Sequence, residues 1–390
     1  MNWQYRHTVL VLCLLAFFVT YFARLAISPV VPFITDDFEI SNTLIGIALT
    51  GMWLAYGLAQ FPSGLLADRY GEKLVILIAI GGTTVMSAVV AVSPIFAIFV
   101  VALVVLGGVA GLHYAVATTL LSRTFDDLGT AVGLHSVGGP LAGLLAPVIS
   151  AWIGVRYGWR PAIAVTALVG IPIFLLFLWR VRATEPRQPA VPIRSRLELN
   201  RLVGLVSRPS LAFPLVIATA GTYVAQGLLS FLPAFLIAFH EFTPTAAGVA
   251  FSGFFLIRIG GQVGLGRLSD AYGRDTAIAG AMGAGAFGIG LAVVGNSLGM
   301  IALGVLFAGI GSSFFSAIDP RFMEALGAEE RGAGFGLVRT VYTVLGAAGS
   351  VGVGLTADLF GWDVAFGTLA ILFFLSFAAL VANKLLGFNY

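Results

Sequence analysis

Twelve long apolar runs divide this chain, at approximately 8–33, 42–67, 74–93, 95–122, 130–154, 161–181, 210–239, 244–268, 276–294, 297–323, 331–357 and 363–385. Each approaches or exceeds the roughly 20 residues that a helix needs to cross about 30 Å of hydrocarbon. The runs are continuous rather than alternating, which excludes a β-barrel, and they carry glycine and alanine inside them, as packed membrane helices do. Ser93 and Pro94 supply the only punctuation between the third and fourth runs. The pattern predicts an all-α membrane protein with 12 transmembrane helices.

The sixth and seventh runs are separated by the one long polar stretch, VRATEPRQPAVPIRSRLELNRLVGLVSRPS. Seven arginines lie there if Arg180 is included. The expected organisation is an N-terminal six-helix bundle over 1–181, a cytoplasmic basic linker over 182–209 and a C-terminal six-helix bundle over 210–390.

Composition agrees with a membrane chain: 59% of residues are apolar and 10% charged, against about 45–50% and 25% in soluble domains. The net charge of +3 arises from loop arginines and reports topology, so no nucleic-acid partner is expected. Of 21 basic residues, 16 fall in loops on the side of both termini and only Arg156 and Arg160 fall opposite. That bias places both termini in the cytoplasm. The opening segment MNWQYRH and its long apolar continuation read as a retained first helix rather than a removed signal. Cys13, the single cysteine, can form no intramolecular disulfide.

The two halves echo each other. At an offset of 203, Trp159 aligns with Trp362, Gly158 with Gly361, Gly133 with Gly336 and Leu134 with Leu337. At 202, the turn GLLADRYGEK (64–73) aligns with GRLSDAYGRD (266–275). Each half is one copy of a six-helix unit. Duplicated membrane halves with a site between them at the bilayer midplane are how transporters achieve alternating access.

The phrase GLLADRYGEK resembles the signature turn of the major facilitator superfamily through Gly64, Leu66, Asp68, Arg69, Gly71 and Lys73. Its echo keeps Gly266, Asp270, Gly273 and Arg274. Glu72 departs from the family's preference for a base, and Asp275 replaces the final lysine. The resemblance covers nearly the whole chain and implies two pseudo-symmetric six-helix bundles, the major facilitator fold, with these turns as a gating latch. Physically, Gly64 and Gly71 suit close backbone approach and reversal, while Asp68 and Arg69 suit pairing at the membrane edge. A plain topology-setting charged turn explains the same residues.

A charge near the bilayer centre costs about 2.5–3.5 kcal/mol on insertion scales, so embedded ionisable groups are candidates for function. Arg24 and Arg258 are expected near the midplane, Arg339 nearer the cytoplasm, His113 centrally and His135 toward the cytoplasmic edge. The repeat pairs Arg24 with Gln226, Arg258 with Tyr56, Arg339 with Ser136 and His113 with Ser316, so each position is polar in both halves. Arginine keeps its charge, and no central carboxylate faces the three; Asp319 and Asp358 lie near helix ends. The first reading is therefore a transporter of a small organic or inorganic anion. Arg24, Arg258 or Arg339 clamps the anion and Tyr56, His113 and Gln226 orient it. The text YFARLAISPVVPFI resembles anion-transporting branches of the superfamily. Pairing of each arginine with backbone carbonyls or a helix C-terminus is the alternative.

The second reading is efflux of drugs or toxic compounds by proton antiport. GLHSVGGPLAGLLAP, with Gly139, Pro140 and Gly143, resembles the antiporter motif and fosmidomycin-resistance-like exporters, although His135 and Ala142 depart from the antiporter pattern. A kinked, tightly packed helix accounts for the same residues. His113 and His135 are the coupling candidates, because histidine changes charge near neutrality.

No phosphate loop is present. Gly283, Gly285 and Gly288 spell G-x-G-x-x-G inside a span, without a preceding strand. Four scattered histidines and one cysteine form no recognisable metal cluster, so neither metal nor cofactor is expected, and no enzyme. Partners are a small-molecule substrate, the lipid bilayer and a co-transported or exchanged ion, for a monomer in a prokaryotic inner membrane. A receptor or structural membrane protein is the non-transport alternative.

Overall fold

A computed structural model describes residues 4–125, 127–186, 208–326 and 331–387. Most of the basic linker predicted over 182–209 lies outside these residues. Among the described residues, 12 helices are long and apolar enough to cross a membrane. Span 1 is Tyr5–Phe38, span 3 Glu72–Ala91, span 4 Phe96–Ser122, span 5 Gly129–Tyr157 and span 6 Trp159–Arg180. Span 2 begins the helix Asn42–Tyr70. The second set runs from span 7, Pro209–Ala238, through Pro244–Tyr272, Arg274–Val294, Leu298–Ala325 and Gly334–Phe360 to span 12, Trp362–Leu385.

The chain forms two compact units, Met1–Ile40 with Gly51–Leu197, and Ser41–Thr50 with Glu198–Tyr390. The division falls inside the helix Asn42–Tyr70, so its first turns belong to the second unit. Inside that unit, Thr50 Oγ1 donates to the Ala347 carbonyl at 3.1 Å and accepts the Val351 N–H at 3.0 Å.

Turn glycines punctuate both halves. Gly71, Gly158, Gly273 and Gly361 have φ of 85°, 88°, 91° and 96°, a region closed to most side chains. Each ends one helix and starts the next. Span 5 begins differently: Asp127 Oδ1 accepts the Thr130 N–H at 3.2 Å as an N-cap, and its hydrogen bonds to Thr130 hold the carboxyl below the usual range.

Close packing rests on small residues. A Cβ on Gly285 would lie 2.5 Å from the Phe373 ring, and one on Gly288 would lie 2.6 Å from Phe307 Cβ. The G-x-G-x-x-G text of span 9 is thus a packing seam, with no nucleotide role.

Several spans are interrupted. Span 1 stops at Leu25 and resumes through the 3-10 turn Ser28–Val30 into Val31–Phe38, where Pro29 removes a backbone donor. Span 4 breaks at Leu112, between Phe96–Gly111 and His113–Ser122. Span 5 breaks at Val137, between Leu128–Ser136 and Gly138–Tyr157. Pro140, which has no N–H to close onto Ser136, therefore sits in the first turn of the second piece and the break precedes it. Broken helices of this kind mark binding regions in transporters.

Candidate functional site

In the first unit Arg24 occupies the last turn of the helix Tyr5–Leu25. Its position is not mid-helix, because the first helix of span 1 ends one residue later. A cation there is favoured by the carbonyl end of the helix dipole. Arg24 is 3% exposed, and its Nε donates to the Thr20 carbonyl at 3.1 Å. The backbone alternative is thus realised for one of its donors. Three rings surround the guanidinium carbon: Tyr56 at 3.9 Å, Tyr21 at 4.7 Å and Trp53 at 5.1 Å. Tyr21 and Arg24 stand three residues apart on one helix, as do Trp53 and Tyr56 on another, so each pair shares a face. Their π faces attract the cation without neutralising it, at about 0.5–2 kcal/mol per contact. Among the described residues, buried Nη2 has no hydrogen-bond partner. Among the described residues, no carboxylate pairs with Arg24.

Two histidines lie in the same unit. His113 and His135 are both 0% exposed, with ring centroids 5.3 Å apart. Phe17 of span 1 packs on both, at 5.9 and 5.2 Å. None of the four ring nitrogens makes a hydrogen bond among the described residues. The helix that carries Phe17 also carries Arg24, two turns further along. Tyr114 bonds Ser136 at 3.1 Å beside them. Glycines bring span 1 against this break: a Cβ on Gly139 would lie 2.8 Å from the Phe17 ring, and one on Gly138 would strike the Leu14 carbonyl.

The second unit holds the other candidates. Arg258 is half-buried, its guanidinium carbon 5.7 Å from the Phe315 ring centre, and among the described residues its Nε has no hydrogen-bond partner. Gln226 is buried, and its Oε1 is likewise unbonded. Arg339 departs from the sequence expectation of a cation without a carboxylate. Asp319, expected near a helix end, lies within electrostatic reach of Arg339, and its Oδ1 accepts the Tyr342 hydroxyl at 2.9 Å. Depth along a helix does not reveal which side chains of the next helix stand at that depth.

The repeated turns are anchored to partners the sequence had not singled out, among them Arg123, Thr184, Glu324 and Arg321. Glu72 is buried and its Oε1 meets Arg123 Nε, at the end of span 4, at 2.9 Å. Lys73 Nζ donates to the Leu178 carbonyl at 2.8 Å, and its N–H to Thr184 Oγ1 at 3.0 Å. Arg69 is exposed and lies against Tyr70. Gly64 and Gly266 have nothing within 4 Å of a would-be Cβ, so close approach explains Gly71 and leaves these two unexplained. In the second copy Arg274 pairs with Asp270 and with Glu324, and Asp275 meets Arg321 at 3.1 Å. An acid after the turn glycine paired with an arginine at the end of the fourth or tenth span recurs in both halves. Only a fold could reveal it, because the arginines align poorly between the repeats.

Among the described residues, no group of three or more histidine, cysteine, aspartate or glutamate side chains is arranged to hold a metal ion.

The sequence matches the profile of the Major Facilitator Superfamily over residues 13–242 and 217–385. The chain belongs to that superfamily. Transporters are among its curated relatives, and it spans about half the length of the first of them. It is 24% identical over 237 residues to the hexuronate transporter of Bacillus subtilis, covering 59% of this chain and 56% of that protein. It is 28% identical over 288 residues to multidrug resistance protein MdtG of Citrobacter koseri, covering 70% and 68%. Among solved structures, a bacterial homologue of the human lysosomal transporter Spinster, inward-facing and unoccupied, aligns with a TM-score of 0.83 at 15% identity, over 98% of each chain. The nucleoside transporter NupG gives 0.82 at 13%, over 97% of this chain and 99% of that one. At such identities the structural likenesses establish the fold alone.

Proposed function

We propose that this chain is a secondary transporter that carries a small organic anion by alternating access, with Arg24 as the anchor for its charge. The observation that carries the reading is Nη2 of Arg24: a buried donor on a permanent cation, held by aromatic faces and left without an acceptor. A carboxylate or phosphonate oxygen supplies that acceptor, and a charge-assisted hydrogen bond is among the stronger polar contacts. Tyr56 and Trp53 add flat apolar surface beside it. Arg258, with its unbonded Nε, and Gln226 are the corresponding polar groups of the second unit. Arg339 contributes less, because a carboxyl group, Asp319, stands in its surroundings. The likeness to a hexuronate transporter supports an anionic cargo. In this reading the chain acts as a monomer in a bacterial inner membrane with both termini cytoplasmic. The turns at Gly64–Lys73 and Gly266–Arg274 act as conformational latches.

Efflux of drugs is the second reading, and the likeness to MdtG favours it. One experiment separates the two. Thermal stability in detergent is measured with small carboxylates, phosphates, phosphonates, sugars and cationic drugs, at two pH values. Anions are expected to stabilise the wild type and not Arg24→Ala, since a ligand of the folded state raises its stability. Stabilisation by cationic drugs alone removes the anion reading and leaves efflux. Uptake of labelled glucuronate into proteoliposomes then measures transport, and rates undiminished in Arg24→Ala would end the role given to Arg24.

A further inference from the structure

Two buried imidazoles facing each other without a hydrogen bond among the described residues are an expensive arrangement for a membrane protein to keep. Each ring of a neutral pair offers one N–H and one lone pair. His113 and His135, 5.3 Å apart between centroids, use none of these in full hydrogen bonds among the described residues. Both stand at helix interruptions, His113 beside the break at Leu112 and His135 two residues before the break at Val137. Their surroundings can be stated element by element. Span 1 presents Phe17 and carries Arg24. Span 4 presents Tyr114, 5.4 Å from His135 between ring centres, and span 5 presents Ser136, bonded to Tyr114. Neither ring forms an ion pair among the described residues. Arg24 stands two turns beyond Phe17 on the same helix, so the fixed charge which that helix brings toward the pair is positive.

We infer that His113 and His135 form a two-imidazole proton site, which binds one proton between the rings and binds it more strongly when the charge of Arg24 is neutralised. The proton comes from water. The lone pair of one ring nitrogen takes it, and the resulting N–H turns toward the lone pair of the other ring. Two facing imidazoles titrate as a unit, since a second proton would set two cations side by side without water. Neutralisation is the link to cargo. An anion on Arg24 removes the repulsion that opposes protonation of His113, so anion and proton favour each other's binding, and by reciprocity each strengthens the other. The consequence is symport of proton and anion in one direction, rather than exchange. The linkage to cargo rests on the anion reading above; the proton site does not.

The test needs no substrate. The chain has four histidines, so ring 15N signals of labelled protein in detergent are assignable by substituting His7, His113, His135 and His240 in turn. Titrated from about pH 8 to about pH 5, the signals of residues 113 and 135 are expected to move together in one transition. In His113→Gln the remaining ring should lose that shared transition. Arg24→Gln, which mimics neutralisation, should raise the proton affinity of the pair about tenfold, whereas Arg24→Lys, which keeps the charge, should not. The proposal is overturned if the two rings of the wild type stay silent across this range in Arg24→Gln as well, or if Arg24→Gln titrates like Arg24→Lys. Should Arg24→Gln fail to fold, independent titration of the two rings in the wild type also refutes it. If anions fail to stabilise the protein while Arg24→Gln still shifts the transition, the proton site stands and the anionic cargo falls.

Discussion

Oδ2 of Asp358 accepts both the backbone N–H and the hydroxyl of Thr43, at 2.7 and 2.6 Å. Its Oδ1 accepts the backbone N–H and side-chain amide of Asn42, at 3.2 and 2.9 Å. A carboxylate from span 11 thus caps the first turn of the helix Asn42–Tyr70, where free N–H groups and the positive end of the dipole favour an anion. Removing an N-cap acceptor costs about 1 kcal/mol. Asp358→Ala should therefore lower the melting temperature and speed amide exchange at residues 42 to 45, with Asp358→Asn between it and the wild type. Unchanged exchange at these amides would show that the cap contributes nothing.

The cage around Arg24 predicts a graded series. Tyr56 faces the guanidinium with its ring, not its hydroxyl, so Tyr56→Phe should keep anion binding within about twofold, while Tyr56→Ala should weaken it by the roughly 0.5–2 kcal/mol of one cation–π contact. Arg24→Lys retains the charge but loses the planar fork and should bind anions more weakly than the wild type. Titration calorimetry with the best-stabilising anion gives the three affinities. Equal losses in Tyr56→Phe and Tyr56→Ala would place the hydroxyl, rather than the ring, in the site.

Glu72 looks in the sequence like a defect in a family turn. In the fold it is a carboxylate 1% exposed that meets Arg123. Arg123 is 28% exposed, so of the two charges the carboxylate is the one that suffers more from losing its partner. Arg123→Met should therefore destabilise more than Glu72→Gln, which removes the charge itself, and combining the two changes should recover part of the loss. Melting temperatures of the three variants decide this. Strict additivity would mean that the two residues act independently.

The spans were legible in the sequence because hydropathy and turn glycines act along the chain. Gly71, Gly158, Gly273 and Gly361 stand at matched points of the repeat, and each proves to carry the positive φ that its turn requires. Arg24 was legible as an embedded cation with Gln226 as its polar counterpart in the repeat, and Tyr56 as the counterpart of Arg258. The environment of Arg24 was not legible. The apolar run through residues 26 to 30 hides the end of the first helix, and only Pro29 hints at it. The text YFAR sets Tyr21 near Arg24 without showing that its ring meets the guanidinium, and nothing in the sequence marks Trp53, since a helix that is apolar all round gives no signal of which face meets which neighbour. The approach of Asp319 to Arg339 and of Glu72 to Arg123 depends on how different helices are rotated against each other, which periodicity within one helix cannot encode.

The two glycines of the first signature turn separate structure from motion. Gly71 has φ +85°, and a Cβ there would strike the Thr184 carbonyl. Gly71→Ala carries both backbone strain and a clash with a main chain that cannot easily yield, and should cost about 1–3 kcal/mol. Gly64 lies inside the helix Asn42–Tyr70 with nothing within 4 Å of a would-be Cβ. Alanine favours a helix interior over glycine by about 1 kcal/mol, so Gly64→Ala should leave the melting temperature unchanged or raise it. Transport then becomes the informative measurement. If Gly64→Ala is as stable as the wild type yet moves substrate at a tenth of the rate or less, the missing side chain matters in another conformation, where a neighbour must close on this face of the helix. If its transport is normal, the resemblance of this residue to the family's latch carries no function in this chain, and the turn is held by Gly71, Glu72 and Lys73.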